Sequence, residues 1–352
     1  MSDNRYIRQT LLDQIGEQGQ QKLLSAHVVV IGCGGLGSIA APYLAGAGVG
    51  KITLVDADQP HVSNLHRQVF FEDSSDTQTK SKALAKHIER LNPTIEVIVV
   101  EQMVTKKNIE EIIKKATVVL ECTDNIQTKY LVNDYCHIQS IPLVYGAIHK
   151  YDGYISLFAN TDKNSIHLRD IFAVPNEDIP TCSEVGVMGS LAGLIGILQA
   201  NEAIKYITGA GTPLVDQLLT YNILDNTQMK LKLKKSYEND VAAIYQVSSY
   251  LSKTNCDITE ITIGQLQQNR LKYELISILE DYEHKDIDDD VEHIPLSTIH
   301  PEELVEDLEV PTVFYCTTGK RSAVLVRLMK AIDPEIEIYS LKRGVKGIAN
   351  FE

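Results

Sequence analysis

The segment GCGGLG at residues 32–37 constrains the fold more than any other feature of the chain. It follows an apolar run at 28–31, typical of a buried strand, and opens a helical pattern of small residues. Glycines let the backbone approach a phosphate closely, and a helix N-terminus directs N–H donors at it. Asp56 follows the next apolar run, 19 residues after Gly37, where an acid accepts hydrogen bonds from a ribose. These residues predict an adenine-nucleotide site with Gly35 in its loop, and the motif alone would suggest NAD.

Strand-like and helical patterns alternate through the first two thirds of the chain. Helical segments such as 81–91 and 128–138 separate the apolar runs, which lie at 52–55, 95–100, 118–120 and 143–144. This alternation predicts an α/β fold, a Rossmann-like doubly wound and mostly parallel sheet. We expect the Gly-rich helical pattern at 186–207 to be buried against that sheet.

The uneven charge of the chain marks a domain boundary. Residues 255–352 contain 10 Lys/Arg and 20 Asp/Glu, a net charge of −10, whereas the preceding residues contain 23 and 27, a net charge of −4. We predict an ATP-binding domain over 1–236, a polar linker over 237–256 and a small α/β domain over 257–352.

Composition argues against several classes of protein. The net charge of −14 disfavours a nucleic-acid-binding chain, because phosphate neutralisation needs clustered Lys and Arg. No apolar run approaches the about 20 residues of a transmembrane helix, and the N-terminal residues lack a signal-peptide pattern. We therefore expect a cytoplasmic protein with no membrane or nucleic-acid partner. The six cysteines are too scattered for a secreted disulfide framework and should be reduced: Cys33, Cys122, Cys136, Cys182, Cys256 and Cys316.

Basic and amide residues downstream of Asp56 favour a site that cleaves ATP over an NAD site. Arg67, in the segment SNLHRQ at 63–68, and Lys80 would balance triphosphate charge and stabilise an α-phosphate during transfer. Asn64 would orient a phosphate or ribose oxygen. Taken singly, each of these residues could equally be an ordinary surface side chain.

The segment CTDN at 122–125 ends another strand-like run. Open α/β sheets bind ligands at the carboxyl ends of their strands. The carboxylate of Asp124 there would hold Mg²⁺, which prefers carboxylate and phosphate oxygens.

The chain resembles the MoeB/ThiF/HesA adenylyltransferases, which are bacterial relatives of the ubiquitin-activating enzymes. The resemblance lies in RYIRQ at 5–9, GCGGLG at 32–37, Asp56, SNLHRQ at 63–68, Lys80 and CTDN at 122–125. The resemblance covers residues 4–235. It implies a homodimer in which Arg8 reaches the ATP site of the partner subunit, and Mg²⁺ bound with ATP at Asp124. The ATP-binding residues that it implies are Gly35, Asp56, Ser63, Asn64, Leu65, His66, Arg67, Lys80, Asp124 and Asn125.

The activity implied by this resemblance is adenylation of the C-terminal Gly-Gly carboxylate of a ubiquitin-like sulfur carrier, with release of pyrophosphate. A carboxylate is a poor electrophile, and adenylation gives it a leaving group while cations such as Arg67 stabilise the phosphoryl oxygens. The sequence is most similar to enzymes acting on the small subunit of molybdopterin synthase, and the carrier of the thiazole pathway is the alternative. An NAD-dependent oxidoreductase with a regulatory domain would leave Arg67 and Lys80 unexplained. A non-catalytic carrier-binding scaffold is a further alternative.

Cys182, in PTCSE at 180–184, directly precedes the Gly-rich helical pattern. A helix N-terminus favours a thiolate, so Cys182 is a candidate nucleophile toward the acyl-adenylate or a member of a sulfur relay. In the resembling family this position is sometimes a covalent attachment site and sometimes dispensable, and a buried small residue is the alternative. Packing roles are expected for Cys33, Cys122 and Cys136.

Many members of the resembling family carry a structural zinc held by two Cys-x-x-Cys pairs, and this chain has neither pair. The corresponding segments read HLRD at 167–170 and YEND at 237–240. One histidine and carboxylates substitute poorly for a closed Cys/His tetrahedron, so we predict no structural zinc.

A second chemical motif begins at Cys316, after a strand-like run at 313–315. Backbone N–H groups in such a loop, with the cation of Arg321, stabilise an anionic sulfur. Sulfur transfer and phosphate-ester hydrolysis both use this layout. Four residues separate Cys316 from Arg321, which suits a persulfide, whereas phosphatase loops of this design usually leave about five. The predicted persulfide loop consists of Cys316, Thr317, Thr318, Gly319, Lys320 and Arg321.

Residues 257–352 resemble a rhodanese domain, with CTTGKRS as the active loop and LKRGV at 341–345 as the terminal turn. The resemblance implies that Cys316, loaded by a persulfide donor, passes sulfur to the adenylated carrier to form a thiocarboxylate. The aspartate and arginine that are common in an early rhodanese strand are not evident in ILEDYE at 278–283, so a docking module without catalysis is the alternative. Joining both activities in one chain would raise the effective concentration of the sulfur donor.

Overall fold

The structure is a computed structural model of the 352-residue chain. The chain divides into two compact units, Met1–Ser252 and Lys253–Glu352. Within the described part of the chain, no helix combines the length and apolarity needed to cross a bilayer. The described residues are 5–72, 78–175, 186–250, 260–283, 291–308, 310–333 and 336–344.

An eight-stranded sheet forms the centre of the first unit. Its strands are β1 His27–Ile31, β2 Lys51–Val55, β3 Glu96–Val100, β4 Val118–Glu121, β5 Leu143–His149, β6 Asp152–Phe158, β7 Gln217–Asn222 and β8 Gln228–Lys232. They lie in the order β3-β2-β1-β4-β5-β6-β7-β8. Strands β1 to β5 pair in parallel, and β6 to β8 extend the sheet with antiparallel pairs. The strand order reverses between β1 and β4, the position at which open α/β sheets bind ligands.

Helices cover both faces of this sheet. They are α1 Ile7–Thr10, α2 Gly16–Ser25, α3 Gly37–Ala47, α4 Lys80–Leu91, α5 Ile109–Ile113, α6 Ile126–Ile138, α7 Leu168–Ile171, α8 Gly189–Thr208 and α9 Val241–Val247, with a 3₁₀ turn at Val62–Asn64. The Gly-rich pattern predicted at 186–207 forms the single helix α8 from residue 189 onward.

Strand β1 shows why the sheet is doubly wound. Val28 and Val30 enter a core with residues of α2, α3 and α8, whereas Val29 and Ile31 enter a second core with residues of α5 and α6. Successive strand residues point to opposite faces, so a continuous apolar run is buried on both sides. The predicted Rossmann-like architecture is confirmed.

The first unit continues past residue 236, where the predicted linker begins. Lys106 donates hydrogen bonds from Nζ to the carbonyl oxygens of Tyr245 (2.6 Å) and Ser248 (3.1 Å), at the C-terminal end of α9. Tyr250 donates its hydroxyl to Asp134 of α6 at 2.5 Å. The described part of the predicted linker, up to residue 250, therefore packs on the first unit.

The second unit is a small α/β structure. Its strands are β9 Glu260–Ile261, β10 Glu274–Ser277, β11 Glu292–His293, β12 Thr312–Tyr315 and β13 Ile338–Leu341, and its helices are α10 Ile263–Gln268, α11 Pro301–Asp307 and α12 Lys320–Ile332. The five strands pair in parallel in the order β11-β10-β12-β13-β9. Val313 and Phe314 of β12 pack with Leu325 and Met329 of α12 in its core.

Candidate functional site

The glycine-rich loop joins β1 to α3 at the carboxyl edge of the first sheet. Gly32 has φ of +90°, and a Cβ on Gly37 would lie 1.9 Å from the carbonyl oxygen of Gly32. The loop therefore closes so tightly that Gly37 must lack a side chain. A Cβ on Gly32 would lie 2.9 Å from the Cys122 carbonyl oxygen, so the loop also abuts the end of β4.

Asp56 is hydrogen-bonded to this loop. Its Oδ2 accepts from the backbone N–H of Cys33 at 2.7 Å, and its Oδ1 accepts from the N–H of Asp58 at 2.8 Å. Burial raises the pKa of Asp56, and the nearby cation of Lys80 opposes that rise. Each carboxylate oxygen keeps a lone pair that can accept a further hydrogen bond, such as one from a ribose hydroxyl.

Lys80 is the first residue of α4, and its side chain is only 8% exposed. Its Nζ lies 3.0 Å from Oδ2 of Asp58, a carboxylate that is itself largely in solvent. Because the acid that pairs with Lys80 is exposed to solvent, Lys80 retains positive charge for an incoming phosphate. Asp58 was not predicted as a site residue.

The segment 63–68 brings a second cation to the glycine loop. Arg67 donates from Nη2 to Oδ1 of Asn64 at 2.8 Å, and its Nη1 lies 3.3 Å from Nε2 of His66. A Cβ on Gly35 would lie 3.5 Å from the Arg67 side chain. The predicted residues Gly35, Asn64, His66 and Arg67 are therefore neighbours. Ser63 is exposed on the 3₁₀ turn, and Leu65 packs on the core beneath it.

Asp124 lies in the turn between β4 and α6. It is exposed, and within the described ranges its carboxylate has no hydrogen-bond or ion-pair partner, so it is free to take a cation. Asn125 caps α6 by accepting the N–H of Thr128 on Oδ1 at 2.9 Å. Because β4 adjoins β1, this turn and the glycine loop share one edge of the sheet.

Sequence reasoning missed a buried ion pair directly beneath this turn. Glu121, the last residue of β4, pairs with Lys129 of α6, and their side chains are 0% and 8% exposed. An acid that ends an apolar strand-like run was the only signal in the sequence.

Arg8 lies at the opposite edge of the sheet from the glycine loop. It is exposed on α1, whose Gln9 donates to the carbonyl oxygen of Ala47 at the C-terminal end of α3 (2.9 Å). Arg5 likewise donates to the carbonyl of Leu91, the last residue of α4, at 2.9 Å. Since α3 and α4 run antiparallel to the strands, their C-terminal ends, and Arg8 with them, lie at the edge of the sheet away from the glycine loop.

The cysteines of the first unit divide into two groups. Cys33, Cys122 and Cys136 are buried, and burial raises the pKa of each thiol, which suits packing rather than catalysis. The predicted nucleophile Cys182 lies outside the described residues.

The segment 167–170 does not fit a structural zinc. The carboxylate of Asp170 accepts hydrogen bonds on both oxygens and is not open to a metal. Its Oδ1 accepts from the N–H groups of Ser236 and Tyr237, each at 2.8 Å. Its Oδ2 accepts from the N–H of His167 (2.9 Å) and from Nζ of Lys235 (3.3 Å). Nδ1 of His167 accepts the N–H of Arg169 at 3.2 Å. These contacts join the two segments directly.

In the second unit, Cys316 directly follows β12, at the head of a loop that leads into α12. It is buried, which raises the pKa of its thiol, but hydrogen bonds from the backbone N–H groups of Ser322, Thr318 and Arg321 outweigh this effect. The pKa of Cys316 is therefore lowered. The Ser322 hydroxyl adds a contact with Sγ at 3.7 Å. Such a loop can stabilise a thiolate or persulfide.

Arg321 is held by an acid that the sequence analysis did not identify. Its Nη1 and Nη2 donate to Oε2 and Oε1 of Glu283, each at 2.8 Å, and Nη2 also donates to Thr317 at 3.1 Å. The hydrogen bonds from Arg321 lower the pKa of Glu283. A bidentate carboxylate thus orients the loop cation.

The terminal turn closes on this loop. Gly344 has φ of +56°, and a Cβ there would lie 1.9 Å from the Cys316 carbonyl oxygen. Gly319 occupies the left-handed region directly before α12, with φ of +84°. The loop brings together Cys316, Thr317, Thr318, Gly319 and Arg321, and the backbone of Lys320 begins the helix.

The family model described as "ThiF family" matches residues 6–242 of the chain. The chain is also 37% identical over 241 residues to the sulfur carrier protein adenylyltransferase of Thermus thermophilus, which covers 66% of this chain and 88% of that protein. It is 31% identical over 349 residues to the probable adenylyltransferase/sulfurtransferase MoeZ of Mycobacterium tuberculosis, which covers 93% of this chain and 88% of that protein. The second match extends through the second unit.

Solved structures with a similar fold include MccB of E. coli with ATP. That structure has a TM-score of 0.57 and 22% sequence identity, and the match covers 67% of this chain and 73% of that chain. PaaA has a TM-score of 0.56 and 20% identity, over 65% of this chain and 73% of that chain. At these identities the likeness concerns the fold alone.

Proposed function

The chain belongs to the ThiF family, and from this premise we propose that it adenylates the C-terminal Gly-Gly carboxylate of a ubiquitin-like sulfur carrier with ATP. We further propose that Cys316 supplies sulfur to the activated carboxylate. The observation that carries the proposal is the convergence of the glycine loop, Arg67, Lys80 and Asp56 at the edge of the sheet where Asp124 lies in the turn after a neighbouring strand.

In the adenylation step, a carboxylate oxygen of the carrier attacks the α-phosphorus of ATP. The bond between the α-phosphorus and its bridging oxygen breaks, and pyrophosphate leaves. Arg67 and Lys80 stabilise the charge on the phosphoryl oxygens, and Asp56 accepts from the ribose. No general base is needed, because the attacking carboxylate is already ionised at neutral pH.

Asp124 is the residue that would hold Mg²⁺ with the nucleotide, because its carboxylate is exposed and has no partner in the described part of the chain. Bound there, Mg²⁺ would neutralise phosphate charge and polarise the phosphoryl oxygens. The described residues of the chain hold no cluster of three metal-binding side chains. We expect no structural zinc.

In the sulfur step, the terminal sulfur of a Cys316 persulfide attacks the acyl carbon of the adenylate and AMP leaves. The product is an acyl disulfide, and a thiol must attack Cys316 Sγ, which releases the thiocarboxylate and leaves Cys316 in a mixed disulfide with that thiol. A second thiol must then reduce this disulfide to free Cys316. Cys182 is a candidate for the first of these thiols. A persulfide donor must reload Cys316, and the lowered pKa of the Cys316 thiol supports this role.

We propose a homodimer in which Arg8 completes the nucleotide site of the other subunit. The position of α1 at the far edge of the sheet supports this arrangement, since Arg8 lies away from the glycine loop of its own subunit. ATP and reduced thiols are both needed, which favours the cytoplasm.

The carrier we favour is the small subunit of molybdopterin synthase. A relative at 35% identity over 275 residues is named a probable molybdopterin-synthase adenylyltransferase, from Gracilaria tenuistipitata, and supports this choice. The carrier of the thiazole pathway is the alternative.

Carrier-dependent ATP–pyrophosphate exchange tests the first step. We expect exchange with one of the two carriers, loss of exchange in Asp124→Ala, and wild-type exchange in the exposed control Asp162→Ala. Absence of exchange with both carriers would refute the adenylation reaction. Cys316→Ser should retain exchange while losing thiocarboxylate formation, and a fully active Cys316→Ser would refute the sulfur step.

A further inference from the structure

We propose that the buried Glu121–Lys129 pair is a positioning device that sets the turn carrying Asp124. The inference rests on the proposed function, since it assumes that Asp124 acts with Mg²⁺ and ATP. Its basis is a set of contacts beneath the turn, at the junction of β4, β5, α6 and α8.

Glu121 fixes the turn from below. One carboxylate oxygen, Oε1, accepts the backbone N–H of Thr123 at 2.9 Å and also the Thr123 hydroxyl. Thr123 immediately precedes Asp124. The backbone one residue before the metal-binding carboxylate is therefore tied to a group that is 0% exposed.

The other oxygen of Glu121 fixes the far side of the turn. Oε2 pairs with Nζ of Lys129, which lies in the first turns of α6. Lys129 also donates to the carbonyl oxygen of Gly146 in β5 at 2.9 Å. One carboxylate thus joins the end of β4, the turn and α6, so Asp124 lies between two anchored points.

The main chain of Glu121 is also held. Gln199 of α8 donates from Nε2 to the Glu121 carbonyl oxygen at 2.8 Å, and its Oε1 contacts Cys122 Sγ at 3.4 Å. Burying a carboxylate and an ammonium is costly, and an apolar pair of similar volume would often stabilise a fold equally well. A positioning role explains why charges occupy this site.

Two full-length double variants separate positioning from packing. Glu121→Leu/Lys129→Met removes both charges and the acceptor for Thr123, whereas Glu121→Gln/Lys129→Met removes both charges but keeps a carbonyl oxygen for Thr123. Neither leaves an unpaired buried charge, so both should fold. The readout is the affinity of the enzyme for Mn²⁺ in the presence of a non-hydrolysable ATP analogue, measured by the EPR signal of free Mn²⁺.

Disturbing the groups that orient a metal ligand typically weakens metal binding by roughly 10–100-fold, and we expect a weakening of that order in the Leu/Met variant. The Gln/Met variant should stay within about threefold of wild type, because its acceptor is retained. Equal affinities in the two double variants would overturn the proposal, whether both are strong or both are weak.

The buried pair Asp134–Arg169 provides a matched control. Its side chains are 0% and 4% exposed, and Asp134 also lies in α6. Asp134→Leu/Arg169→Met should lower Tm without changing Mn²⁺ affinity, and a drop in affinity as large as that of the Leu/Met variant at 121 and 129 would count against positioning.

Asp124→Asn distinguishes failure of the proposed role of Asp124 from failure of the positioning inference. If it binds Mn²⁺ as wild type does, the proposed role of Asp124 fails; if only Asp124→Asn loses binding, the positioning inference alone fails.

Discussion

Replacing Asp170 by asparagine should destabilise the first unit strongly. The side chain of Asp170 is 1% exposed, and it accepts three backbone N–H groups and Nζ of Lys235. Asparagine presents one oxygen and one NH₂ group, so in either orientation the NH₂ faces donors. The less costly orientation keeps Ser236 and Tyr237 bonded and leaves the N–H of His167 without an acceptor.

The magnitude follows from these contacts. An unsatisfied buried N–H costs about 1–3 kcal/mol, and the lost contact with Lys235 raises the expected total to about 2–4 kcal/mol. Nε2 of His167 adds to the repulsion: because Nδ1 accepts a hydrogen bond, Nε2 carries the proton, and it lies 3.7 Å from Oδ2. For a unit of this size, each kcal/mol lowers Tm by about 2–4 °C, so the shift should be roughly 5–15 °C.

Differential scanning calorimetry of the full chain, with and without a chelator, measures this effect. The matched control is Asp162→Asn, an exposed acid that precedes the same segment and accepts the N–H of Asn164 at 2.7 Å, which asparagine can also do. It should shift Tm by less than about 2 °C. A chelator should leave the wild-type Tm unchanged. A shift of under about 2 °C in Asp170→Asn, or a chelator-sensitive wild type, would refute the metal-free connection.

Three further predictions concern the dimer, pH and the sulfur loop. When Arg8→Ala and Asp124→Ala subunits are mixed in equal amounts, about a quarter of wild-type pyrophosphate exchange should return. Half of the dimers then contain one subunit of each variant, and one of the two sites in such a dimer has both native residues. No recovery would contradict a role for Arg8 in the partner. Burial lowers the pKa of His167 below its usual 6.5, so folding loses stability as pH falls below that value. His167→Asn, which keeps an N-cap acceptor, should flatten the Tm–pH profile between pH 7 and 5, and identical profiles would refute this. Glu283→Gln should slow sulfur transfer from persulfide-loaded Cys316 to cyanide by about tenfold, the loss of roughly 1.4 kcal/mol from the pair with Arg321; an unchanged rate would exclude a role for Glu283.

The nucleotide loop could be predicted because its information is local. A strand, a glycine turn and a helix N-terminus follow one another without interruption at 28–37. Gly37 closely approaches Gly32, which lies only five positions earlier in the chain. Asp56 and Asp124 were predicted as site residues for the same reason. Asp56 directly follows one apolar run, Asp124 lies shortly after another, and parallel strands bring their carboxyl ends to one edge. The Cys316 loop is likewise a contiguous strand, turn and helix.

The partners that hold these motifs depend on contacts between distant segments. Glu283 and Arg321 are 38 residues apart, and Asp170 lies 66 residues from Ser236. Glu121 and Lys129 are close in sequence, but their shared burial depends on β5 and α8 covering them. Which charge is buried, and which acid meets which cation, is set by how helices and strands pack, and no local pattern records that packing. The sequence by itself therefore determined the chemical groups and the order of the elements, whereas the tertiary structure decided their partners, because burial and hydrogen bonding are properties of the assembled fold.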